Sequence, residues 1–221
     1  MSGTAEALDT VVHRLAASPS VAAIALVGSQ ARSLAEPDSD LDLFVYTDGG
    51  LRELRPQLAD ELAEPATWRS VHERAFGDGD VWRLKESSGW LDLMYWTTAW
   101  GAGELQRVLV EYTASMGYST AFWRSIREGH PLYERDSWHP DLQQRARQAY
   151  PEELRRNIIR LNHPYLRDHP FSYRQQTAKA IDRHDVVSAQ HRIVAWLASY
   201  STSCSPSTGS CIRERSGSWS S

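Results

Sequence analysis

The sequence predicts an α+β protein, with an N-terminal mixed β-sheet followed by an all-α helical bundle. Three observations lead there. Short apolar runs of strand character recur up to residue 96 and then stop. Helical apolar spacing fills most of the chain beyond them. At 221 residues the chain is long enough to bury a sizeable core in one large domain or two small ones. The change of pattern puts the boundary at residues 97–103, which gives a sheet domain over 1–100 and a helical domain over 101–200.

Taken in order, residues 5–15 carry helical apolar spacing, and "VAAIALV" at 21–27 is a run suited to a buried strand. Gly28 and Ser29 follow as a turn that opens a short helix, with Ser29 as its N-cap. "EPDSD" reads as a turn and "LDLFVY" as the next strand. Residues 51–62 form a helix in this reading. "WRSVHER", "DVWRLKE" and "GWLDLMYW" supply three more strands, with "FGDG" as a hairpin turn. Helices are then expected over 104–115, 120–128, 142–149, 152–161 and 174–200. The last stretch, 201–221, is rich in serine, holds both cysteines (Cys204 and Cys211) and offers little to bury. Its composition reads as a disordered tail.

Composition narrows the function classes. The formal charge of −4 provides no basic footprint for nucleic acid. The first residues are polar and acidic, and the longest apolar run is too short to span a bilayer, so a cytoplasmic protein without a membrane partner is expected. With both cysteines near the end, the body needs no disulfide framework.

The chemistry concentrates in "VGSQARSLAEPDSDLDLFVY", residues 27–46. Residues two apart in a strand project from one face, about 6.5–7 Å apart. Asp40 and Asp42 therefore share a face, while Leu41, Leu43 and Val45 turn to the other and pack. Their repulsion at that separation is about 2.5 kcal/mol at an effective dielectric near 20. Divalent cations turn such repulsion into coordination, and Mg²⁺ typically takes one or two carboxylates plus substrate phosphates. Upstream, Gly28 allows close backbone approach, and N–H groups at a following helix start suit a phosphate. Asp92 sits inside "GWLDLMYW", where Leu91 and Leu93 would face the core and leave the carboxylate on the opposite face. Should that strand lie beside the first pair, three carboxylates converge as two-metal phosphoryl chemistry requires.

These residues carry a family likeness. Gly28-Ser29, a spacer, Asp40-x-Asp42 in a strand and the later strand residue Asp92 resemble the nucleotidyltransferase superfamily, the polymerase-beta-like fold. The run Gly28-Ser29-Gln30-Ala31-Arg32 followed by Pro37 to Asp42 matches its minimal members. The departure is Ser33, where glycine is usual. The likeness covers about residues 21–96, and the helical half is more loosely similar to the second domain of two-domain bacterial members. The resemblance implies Asp40, Asp42 and Asp92 as metal-binding and catalytic residues, with Gly28, Ser29 and Arg32 at the nucleotide. A lysine on a helix of the second half often meets the phosphates in such members. Lys179, one of only two lysines, is the candidate here.

The expected function is transfer of a nucleoside monophosphate from a nucleoside triphosphate such as ATP to an acceptor hydroxyl. Two Mg²⁺ ions, or Mn²⁺ in their place, would serve as cofactors. A small molecule or a protein side chain suits the acidic chain better as acceptor than RNA does. The alternative is a non-catalytic nucleotide-binding or antitoxin-like module of the same fold. Three like charges kept together favour the enzyme.

Overall fold

The computed structural model describes residues 2–28, 31, 40–65, 67–74, 77–85 and 89–208. The chain divides into two compact units. The first comprises Met1–Gly103 with Ser125–Arg145, and the second Glu104–Arg124 with Ala146–Ser221.

In the first unit α1 (Ser2–Ala16) leads into β1 (Val21–Val27), β2 (Leu41–Thr47) and α2 (Leu54–Leu62). Then come β3 (Arg69–Glu73), β4 (Gly79–Arg83), β5 (Trp90–Trp96) and the start of α3 (Thr98–Leu109). The sheet order is β3-β4-β5-β2-β1-β6. Only β2 and β5 run parallel, and the other pairs are antiparallel. Burial alternates along β5, with Leu91, Leu93 and Tyr95 inward and their even-numbered neighbours less covered. On the inward face Leu43, Val45, Leu91, Leu93 and Trp82 form one core with Val11 and Leu15 of α1 and Leu58 and Ala59 of α2.

The sixth strand, β6 (His130–Glu134), lies in a stretch where the sequence shows no strand signal. It is short and pairs with β1 at the sheet edge. Its second residue is Pro131, which an edge tolerates because the missing N–H costs no ladder bond there. Arg135 staples this edge, its Nε donating to the Val21 carbonyl at 2.9 Å and its Nη2 to that of Ser18 at 2.7 Å. Segment 125–145 therefore belongs with the sheet unit, although residues 101–200 read as uniformly helical in sequence.

The second unit contains α6 (Glu152–Leu166), α7 (Tyr173–Asp182) and α8 (Val186–Thr208), which pack on one another. Asn162 of α6 is fully buried and satisfied, accepting from the Gly117 N–H and donating to the Ser115 and Ile158 carbonyls. The sequence reads 174–200 as one helix, and the structure breaks it. His184 adopts a left-handed φ of 57° after the α7 C-cap Arg183, and Asp185 Oδ1 accepts from the Ser188 N–H at 2.9 Å, capping a new helix. The helix α8 also runs through Thr208, past residue 201 where the disordered tail was expected to begin. Ser203 Oγ donates to the Ser199 carbonyl one turn back, so this hydroxyl of the serine-rich segment is satisfied inside the helix. The rest of the expected tail, 209–221, lies outside the described residues.

Candidate active site

The face of the sheet opposite the core carries the acidic residues. Parallel pairing sets Asp42 of β2 directly beside Asp92 of β5, with strands about 4.8 Å apart. Leu41 pairs with Leu91 and Leu43 with Leu93, so the apolar alternation of both strands is in phase and both carboxylates emerge on the same side. Asp40 stands one residue before β2, and its Oδ1 accepts from the Trp90 backbone N–H at 3.2 Å. Antiparallel pairing on the other flank sets Val27 opposite Asp42, so the turn at Gly28 arrives beside the same carboxylate.

Gly28 has a left-handed φ of 71°, and a Cβ built there would lie 2.1 Å from Asp42 Oδ2. The missing side chain makes room for the aspartate of the neighbouring strand, a nearer constraint than the phosphate approach that the sequence suggests. Toward the far end of these strands the same face turns aromatic. Phe44 meets Trp96 edge-on at 5.9 Å, and Trp96 stacks on Trp100 at 4.0 Å.

The electrostatics single out Asp92. Burial, with Asp40 and Asp80 nearby, pushes its carboxyl from 3.8 up to about 6. Its Oδ1 is buried and has no hydrogen-bond partner among the described residues. A partly buried carboxylate short of donors and beside like charges is a site that a cation would complete. No cluster of three or more His, Cys, Asp or Glu side chains with metal-site geometry occurs among the described residues. A carboxylate pair completed by phosphate oxygens is nonetheless a donor set that suits Mg²⁺.

The sequence-derived site residues thus fall into three groups. Asp40, Asp42, Asp92 and Gly28 come together at one end of β2 and β5. Ser29 and Arg32, expected at the nucleotide, lie outside the described residues. Lys179 sits exposed in the last turn of α7, within the second unit.

Sequence reasoning missed a buried ionic hub on the core side of the sheet. Asp80 of β4 is fully buried and accepts from Arg55 Nε and Nη2, from the Tyr95 hydroxyl at 2.7 Å and from the His72 N–H at 2.8 Å. Arg55 also lies 4.0 Å over the Tyr95 ring, and its Nη1 reaches Asp78 at 2.8 Å. In sequence Asp80 reads only as the first residue of the strand "DVWRLKE", directly after the "FGDG" turn. The one signal was its place directly before the apolar pair Val81-Trp82.

Residues 8–84 match the family model described as a nucleotidyltransferase domain. The matched span contains Gly28, Asp40 and Asp42 and ends before Asp92. Among solved structures, a nucleotidyltransferase-like protein from Exiguobacterium sibiricum 255-15 is similar at 17% identity and a TM-score of 0.42. The likeness covers 95% of this chain and 59% of that one, so this chain spans well under two thirds of its length. No curated protein matches.

Proposed function

We propose, from the premise that residues 8–84 form a nucleotidyltransferase domain, that the protein moves a nucleoside monophosphate from a nucleoside triphosphate to an acceptor hydroxyl. The observation that carries this reading is the pairing of Asp42 with Asp92 on adjacent parallel strands, with Asp40 bonded to the backbone that enters β5. Mg²⁺ fits these residues, because they offer hard oxygen donors and one buried oxygen that lacks a partner. Asp40 and Asp42 would hold both ions, and Asp92 the one on the acceptor side. When bound, the ions neutralise charge on the triphosphate and acidify the acceptor hydroxyl.

The chain's own groups then divide the work. The Gly28 turn and Ser29 cradle the β- and γ-phosphates, where charge builds on the leaving group. Arg32 adds a phosphate contact. Asp92 helps to take the proton of the acceptor hydroxyl as its oxygen attacks the α-phosphorus. The bond from that phosphorus to the bridging oxygen breaks, and pyrophosphate leaves. The acceptor is a small molecule or a protein side chain.

Thermal shift with each of four nucleoside triphosphates, with and without Mg²⁺, tests the nucleotide site. At least one metal-dependent shift is expected, and none with any of the four would sink the reading. Pyrophosphate release in a cell extract, followed by mass gain on an acceptor, tests the transfer and names nucleotide and acceptor together.

A further inference from the structure

A second site lies at the other end of the same two parallel strands. Beyond Thr47, the last residue of β2, the chain turns through Gly49 and Gly50, both at positive φ, into α2. This turn, the first residues of α2 and the β3–β4 region enclose an open cleft of about 440 Å³. Thr47 stands five positions beyond Asp42 in β2, which puts the cleft about 16 Å from the carboxylates along the strand.

Its wall is cationic. Arg52, Arg55, His72 and Arg74 line it, against the single carboxylate of Asp78. Arg55 is engaged by Asp80 and Asp78, but the exposed Arg52 and Arg74 make no ion pair among the described residues.

The site is also built rather than incidental. His72 holds a left-handed φ of 63°, a conformation that non-glycine residues avoid unless their surroundings impose it. It falls where the register of β3 against β4 shifts, and the fully buried Asp80 accepts the His72 N–H there while also holding Arg55 and Tyr95 in the cleft wall. One buried carboxylate thereby sets three of the lining residues, as preorganised binding sites require.

We propose that this cleft binds the phosphate group of a phosphorylated small molecule, independently of the carboxylate site. Guanidinium forks match the geometry of phosphate oxygens. The volume falls in the range of small-molecule sites and leaves room for more than the phosphate itself.

The test uses inorganic phosphate as probe, against chloride at matched ionic strength. EDTA is present throughout, so that no metal recruits phosphate to the carboxylates. Thermal melts are run on the wild type, on R52A/R74A and on D92N. At ten times the dissociation constant, the wild type and D92N should melt about 3–6 °C higher. R52A/R74A should lose that rise while melting normally in chloride, because both side chains are exposed and make no ion pair among the described residues. The single R74A should weaken phosphate at least fivefold, and it stands in should the double variant fail to fold. No rise in the wild type overturns the proposal, as does an equal rise in the arginine variants or a rise that disappears in D92N.

Discussion

Replacing Asp92 with asparagine should make the metal-free protein more stable at neutral pH while disabling it. The reasoning runs through the carboxyl's raised pKa. In the fold it titrates near 6 rather than 3.8, because ionising it costs desolvation and repulsion from Asp40 and Asp80. Since the folded value lies above the unfolded one, ionisation costs nothing well below pH 4. The cost grows as the pH climbs from about 4 to about 6 and is complete above it. The gap between 3.8 and about 6 corresponds to about 3 kcal/mol at pH 8. Asparagine carries no charge and escapes this cost. For a chain of this size, about 2–4 °C per kcal/mol implies a melting temperature raised by about 6 °C or more at pH 8. At pH 4.5 the gain should shrink to about 1 kcal/mol. Melts of both proteins in EDTA at pH 4.5, 6 and 8 measure this directly. Equal melting temperatures at pH 8, or a gain that does not change with pH, would refute the electrostatic account.

Three further outcomes follow from the same geometry. Asp42→Asn should lower nucleotide affinity and turnover together, whereas Asp92→Asn should spare binding and lower turnover by about 10²-fold or more; calorimetry beside pyrophosphate release separates the two, and normal turnover in Asp92→Asn would make it a bystander. Gly28→Ala forces a methyl against Asp42 Oδ2 in a left-handed turn, so urea unfolding should show a loss of about 2 kcal/mol or more; a loss under about 0.5 kcal/mol would mean that the turn relaxes freely. Asp80→Asn leaves the buried Arg55 without its main counter-charge and should cost about 3–5 kcal/mol in the same assay; a cost below about 1 kcal/mol would show that Asp78 alone holds the guanidinium.

Local pattern reached far into this protein. Short apolar runs located β1 to β5, and in β2 and β5 the burial of one face writes a period-two alternation into consecutive residues. The same alternation put Asp40 and Asp42 on one side of β2 and Asp92 on the non-core side of β5. Capping chemistry was weaker evidence. The Asp185 cap and the left-handed His184 divide a stretch whose apolar spacing reads as one helix, since a break of three residues barely disturbs the period. β6 escaped notice for a related reason, being five residues long, at an edge and with a proline inside.

The sequence by itself determined which residues are chemically unusual: carboxylates inside apolar strands, and a glycine-serine turn at a fixed distance before them. Only the tertiary structure decided what those residues meet. The order β5-β2-β1 sets Asp92 on one side of Asp42 and the Gly28 turn on the other, and no local pattern encodes which strands become neighbours. The partners of Asp80, contributed by α2, β3 and β5, were equally invisible. Their contacts span separations of 8 to 25 residues and depend on a buried ion pair that only the closed core brings together. Periodicity reports the face a residue shows, whereas long-range packing chooses what lies across from it.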